Sequence, residues 1–127
     1  MSSLSIFSHP VYLEHDTGLG HPERPDRLAA ILEKIHTSGS LLKSEIIKPG
    51  RAADEDVIAV HSENYFRAVS AAIKNGERVL DSGDTIASEK SLDAALFAAG
   101  AVVDGVNLLK EESSNKVFCA VRPPGHH

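Results

Sequence analysis

The sequence predicts an α/β layered fold, with a mainly parallel sheet and flanking helices. Three observations predict it. Short strand-like segments alternate with stretches of helical periodicity. The run Val117–Val121 is continuously apolar, the pattern of a strand buried on both faces, as parallel sheets require. The chain has 127 residues, enough for one domain with one modest core, and it shows no internal repeat, low-complexity stretch or linker.

The elements follow in order. Leu4–Phe7 is a short strand, and His9 to Pro25, rich in Gly, His, Pro and charge, is a long surface loop of the kind that usually has a task. Pro25 opens a helix: Leu28, Ile31, Leu32 and Ile35 fall at helical spacing and Gly39 supplies the stop. Glu45–Lys48 is a weak strand before a Pro49-Gly50 turn. A second helix starts near Asp54, with three acids at its positive end. A third runs from Ser62 to Asn75-Gly76, with Tyr65, Val69, Ala72 and Ile73 as its apolar stripe. Val79–Thr85 is a short extended piece and a turn. The longest helix runs from Ser88 or Ser91 to Lys110. Gly100 and Gly105 each cost it about 1 kcal/mol of propensity relative to Ala, so close approach to another element is the expected compensation. Ligands of such sheets bind beyond the carboxyl ends of the strands, which is where Arg122 to His127 would fall.

Composition narrows the function. The net charge is −5 and the pI near 5.7, which argues against a nucleic-acid partner. No apolar run approaches the roughly 18 residues of a membrane span, and the N-terminus lacks the pattern of a secretory signal. The single cysteine, Cys119, cannot form an intrachain disulfide and reads as a buried small hydrophobe. A reducing cytoplasm is the expected location.

Three clusters can carry chemistry. In Arg122-Pro123-Pro124-Gly125-His126-His127, the prolines end strand pairing, and Gly125 allows backbone angles closed to other residues. His126 and His127 can then face one cleft, where they would exchange protons, bind metal, or stand as ordinary surface residues. The loop His15–Arg27 holds two His, three acids and two Arg, Arg27 being the second. It is a metal site or, with better odds on spacing, a loop structured by its own salt bridges. Arg27 precedes an apolar helix face and is expected to be drawn inward. Asp81 and Asp84 are turn formers or ligands. His61 reads as a partly buried structural histidine, and His9 and His36 have no supporting neighbours.

Together these segments resemble the histone deacetylase family, which includes acetylpolyamine amidohydrolases and acetoin-utilisation proteins. His21–Leu28 (HPERPDRL) resembles its first-loop signature. Val60-His61-Ser62 with Tyr65 resembles its VHS-x-x-Y segment. Gly83-Asp84-Thr85, Ser91 and Ala94–Val103 resemble its pre-catalytic helix, and Val121–His127 resembles the RPPGHH of the class II-like branch. The resemblance implies an arginase/deacetylase-like fold, of which residues 1–127 form the N-terminal part. It also implies zinc-dependent removal of acetyl groups from lysine side chains or polyamines. His126 would be the hydrogen-bonding partner of the attacking water and His127 the general base and acid. Asp84 would hold substrate at the rim, and Arg27 would line the inner cavity.

The family's zinc ligands lie in a later Asp-x-His motif and a further Asp, followed by a catalytic Tyr. No Asp-x-His occurs here, so no metal ligand is assigned and the chain alone is expected to be inactive. Acetylated lysine or acetylpolyamine is the expected substrate partner. Self-association, or pairing with the missing C-terminal part, is the expected protein contact. The competing readings are a non-catalytic association module and a metal-binding chain using His126, His127 and the His15/His21 loop.

Overall fold

The computed structural model describes residues 3–39, 44–81 and 83–125. Three parallel strands, β1 (Leu4–Phe7), β2 (Ile46–Ile47) and β3 (Lys116–Cys119), form one sheet in the order β2-β1-β3. The register pairs Ile6 with Ile46 and with Phe118, and Phe7 with Ile47 and with Cys119. Past the strands the pairing continues through Ala120 N–H to the Phe7 carbonyl (2.9 Å), and Ser8 Oγ donates to the Ala120 carbonyl (2.9 Å). The ends of β1 and β3 are thereby held together where the chain turns toward Arg122. The α/β fold with a parallel sheet and flanking helices is as the sequence predicts.

The helices are α1 (Pro25–Thr37), α2 (Asp54–Ile58), α3 (Glu63–Lys74) and α4 (Ser91–Lys110). Pro25 sits in the first turn of α1, where its missing N–H costs nothing, and Ser62 caps α3 by accepting from Tyr65 N–H. Inside the expected loop lies a further element, a 3-10 turn over Pro10–Leu13. His9 caps it: Nδ1 accepts from Val11 N–H (3.0 Å), and the ring stacks on Phe97 at 4.3 Å. His9 therefore does have supporting neighbours: Val11 two residues on, and Phe97 of α4, which lies out of reach of local sequence reasoning. Tyr12 is wholly buried and donates to the Phe97 carbonyl at 2.9 Å. Val11, Tyr12, Leu28, Ala94, Ala98 and Ala120 form the core that joins this turn, α1, α4 and the end of β3.

Helix α4 packs as its glycines predict. The loop before α2 lies directly on it: Ala52 N–H donates to the Leu96 carbonyl (3.0 Å), Gly50 N–H to Asp104 (2.7 Å), and Arg51 pairs with Asp93. A Cβ at Gly100 would overlap the Gly50 carbonyl oxygen, and one at Gly105 would lie 2.7 Å from Val117 Cγ1. By length and composition α4 is apolar enough to cross a membrane, contrary to the expectation that nothing here approaches a span. These close contacts are instead those of a core helix.

Four expectations change. Strand β3 is not buried on both faces: Val117 and Cys119 are half-buried, but Phe118 is 45% exposed. An edge strand covered by α4 on one face leaves the alternate side chains open. Cys119 is likewise half-buried, its thiol pushed up by burial. Tyr65 points outward, so the inner side of α3 is Phe66, Val69, Ser70 and Ile73. His61 is exposed, its ring 5.5 Å from Tyr65.

Candidate active site

Arg122 organises the site. It is fully buried where β3 runs out, and its peptide bond to Pro123 is cis. Its fork grips the Glu23 carboxylate, Nε to Oε1 at 2.9 Å and Nη2 to Oε2 at 2.7 Å. Nη1 donates to the carbonyls of Tyr12 (2.6 Å) and His15 (2.7 Å). A buried guanidinium is tolerable only when so compensated, and bidentate geometry is the strong form of that pairing. Among the described residues, no fully buried side-chain nitrogen or oxygen lacks a partner.

The loop before α1 wraps around this point. His15 is buried, with Nδ1 2.7 Å from Ser91 Oγ at the start of α4. Its Nε2 lies 3.9 Å from Glu23 Oε2, a charge contact too long for a hydrogen bond. Burial holds the His15 imidazole below its ordinary range; the Arg122 charge acts the same way, against Glu23 and Asp16. For Glu23, burial alone would push the carboxyl upward. The hydrogen bonds and charge of Arg122, with His15 and Arg27, outweigh it and hold Glu23 below the usual range. Thr17 Oγ1 closes the loop on the Glu23 carbonyl at 2.5 Å. The expected salt bridges within the loop exist, Arg24 with Asp26 and Arg27 with Glu23, but the principal partner of Glu23 is Arg122, far along the chain.

His21 links this loop to the Asp84 segment. Its Nδ1 accepts from Glu23 N–H (3.0 Å), which leaves Nε2 to donate to the Asp84 carbonyl (2.9 Å). The turn before Asp84 is shaped by Asp81, which accepts from Gly83 N–H (2.9 Å), Thr85 N–H (3.3 Å) and Thr85 Oγ1 (2.5 Å). The Thr85 hydroxyl, followed by Gly83 N–H, holds the Asp81 carboxyl below its ordinary range. Asp81 is thus a turn former.

These elements line a partly open cavity of about 580 Å³. Its apolar lining includes Val69, Ile73, Leu80, Ile86 and Leu92, and its polar lining His15, His21 and Glu23. Asp84 and Arg27 both line it, as do Pro123, Pro124 and Gly125. Arg27 stands at the edge rather than enclosed: its side chain is 43% exposed, with Nη2 donating to the Val121 carbonyl at 2.9 Å. Gly125 has φ +81°, the angle expected of glycine at this exit. His126 and His127 lie outside the described residues. Sequence reasoning passed over Arg122, Glu23 and Ser91. The available signal was a lone Arg between an apolar strand and Pro-Pro, with an acid in a loop already rich in charge.

Among the described residues, no group of three or more His, Cys, Asp or Glu is placed to hold a metal ion. A catalytic zinc takes about three protein ligands, so these residues do not fit one. The ring nitrogens of His21 are engaged by Glu23 and Asp84, and Nδ1 of His15 by Ser91.

Residues 21–127 match the sequence model of the histone deacetylase domain. The chain belongs to the histone deacetylase family. It is 34% identical over 125 residues to a probable deacetylase of Archaeoglobus fulgidus, covering 96% of this chain and 34% of that protein. It is 33% identical over 127 residues to histone deacetylase 5 of Arabidopsis thaliana, covering 90% of this chain and 18% of that one. The crystal structure of the HDA15 HD domain superimposes with a TM-score of 0.88 at 31% identity, covering all of this chain and 37% of that one. The chain thus spans about a third or less of the length of these proteins.

Proposed function

We propose that the intact protein is an amide hydrolase that removes acetyl groups from lysine side chains or polyamines, with zinc as its cofactor. One observation carries the reading: the cavity is lined by apolar side chains, by His15, His21 and Glu23, and by the Pro123–Gly125 segment that directly precedes His126 and His127 in the sequence. An apolar passage suits the methylene stem of an acylated amine, and Asp84 at the lining is available to its polar groups. Zinc enters the proposal through the family alone.

The chemistry proposed for this chain's own residues is proton transfer. Water adds to the acetyl carbon, His127 takes its proton, and His126 holds a hydrogen bond to the same water. The C–N bond then breaks, His127 returns the proton to the leaving amine, and acetate departs. The test is acetate release from an acetyl-lysine peptide and from an acetylpolyamine by the intact protein. His127→Ala is expected to lower kcat by at least about 100-fold, the scale of general acid–base catalysis. Activity unaffected by that change would refute the assignment.

A second reading, that the segment acts by association, is favoured by one feature. Val102, Val106 and Leu109, each at least 42% exposed, form a stripe along α4, and Phe118 is open on β3. The occupant proposed is a second copy of the segment or the remainder of the deacetylase domain.

A further inference from the structure

The chemistry proposed above depends on two residues that follow Gly125, and the structure contains a device that fixes how the chain arrives there. Arg122 leaves β3 with no exposed surface and makes four directional bonds, two to Glu23 and one each to the carbonyls of Tyr12 and His15. All four acceptors belong to one stretch, residues 12 to 23. A second strut acts one residue earlier, where Arg27 donates to the Val121 carbonyl. Glu23 carries further connections: its N–H donates to His21 Nδ1, and His21 Nε2 donates to the Asp84 carbonyl. One acid thus ties the segment Arg122–Gly125 to the segment bearing Asp84.

Packing alone does not call for this arrangement. A buried ion pair can be exchanged for apolar side chains of similar volume with little loss of stability, and sometimes a gain. What apolar side chains cannot supply is direction. A planar fork held along its edges by fixed acceptors defines the orientation of its own backbone, and Pro123 and Pro124 transmit that orientation onward with few internal freedoms. We propose that Glu23 and Arg122 are a positioning pair that fixes the approach of Arg122–Gly125 to the cavity, on which the chemistry proposed for the two residues next in the sequence depends. The inference rests on the deacetylase reading for its catalytic consequence, while its structural consequence can be measured separately.

The experiment uses the intact protein that carries this segment, with two variants. Arg122→Lys keeps the charge but loses the fork. The double variant Glu23→Leu with Arg122→Met removes the pair and fills its volume, at the cost of the two bonds from Arg122 to the Tyr12 and His15 carbonyls. For each, kcat and KM on an acetyl-lysine peptide are measured beside Tm and the hydrogen exchange of the Glu23 and Ala120 amides, which donate to His21 Nδ1 and to the Phe7 carbonyl. Both variants are expected to lose at least about tenfold in kcat with KM within about twofold, since small misplacements of reacting groups cost this much or more. Exchange at those amides is expected to quicken by about tenfold in both variants, beyond any quickening at the amides of β1, which report global opening. Recovery of kcat together with Tm in the double variant would overturn the proposal and leave the pair a packing feature. Should the wild-type protein release no acetate from any acetyl amide, the deacetylase reading fails and exchange alone decides the pair. Unchanged exchange in Arg122→Lys then refutes it, and quickened exchange upholds it.

Discussion

At the scale of single residues, the centre of the site is a set of charges that water would normally hold apart. Arg122 is buried, Glu23 faces it, and His15 is enclosed beside both. Their linkage to pH has a definite sign. The folded imidazole of His15 is held below its ordinary 6.5, so the unfolded chain takes up that proton first as pH falls. This costs stability as pH drops below about 6.5, until the folded pKa is reached. Glu23 is held below its ordinary 4.5, so its contribution is full above that value and is lost as pH falls through the folded pKa. Stability of the wild-type protein is therefore expected to decline in two stages on acidification. Denaturant titrations between pH 8 and pH 3 check this (about the range spanned by the two groups). Glu23→Gln should shrink the lower stage, to which Asp81 also contributes, and leave the upper one. A variant with both stages intact would show that Glu23 is not the group responsible.

At the scale of elements, α4 is the piece on which the others are laid. It receives the 3-10 turn through Tyr12, the loop Gly50–Ala52 through backbone bonds, and β3 through Val117. Its two inner glycines are not equivalent. At Gly100 an added methyl meets backbone, which can yield only by moving the whole loop. At Gly105 it meets the end of a valine side chain at 2.7 Å. Gly100→Ala is expected to destabilise by about 3 kcal/mol, the upper part of the usual range for overpacking. Gly105→Ala should fall within about 1 kcal/mol of wild type, because the gain in helix propensity offsets the crowding. Thermal melts of the two variants side by side check the order. Equal losses would show that the Gly50 loop is not rigidly docked.

At the scale of the whole molecule, the fold is layered on one side and open on another. The sheet carries α4 across one face, while Phe118 and the Val102, Val106, Leu109 stripe stay exposed. The 127-residue segment, expressed alone, is expected to self-associate, and Val102→Lys with Val106→Lys to shift it toward monomer. Light scattering after size exclusion reads the mass directly, and a wild-type monomer at high concentration would remove the association reading. Much of this architecture was present in the order of residues. The boundaries of α1 and α4, the start of α3 at Ser62, the parallel class of the sheet and the small-residue approach of α4 all follow from periodicity, residue pattern and glycine placement. These are local properties, set within a few residues of each position. The 3-10 turn, the outward face of Tyr65 and the half-open β3 were not legible, because each depends on what lies opposite. The family signature was legible too, in HPERPDRL and RPPGHH, and the matched domain over residues 21–127 agrees with it. What the sequence determined by itself is therefore the family, the layered class and the segments that meet at the cavity. Only the tertiary structure decided that Arg122 is the buried hub, that Glu23 rather than a loop neighbour is its partner, and that His21 reaches Asp84. Those pairings join residues some 60 to 110 positions apart, and a charge in a sequence carries no mark of which distant charge will be desolvated beside it.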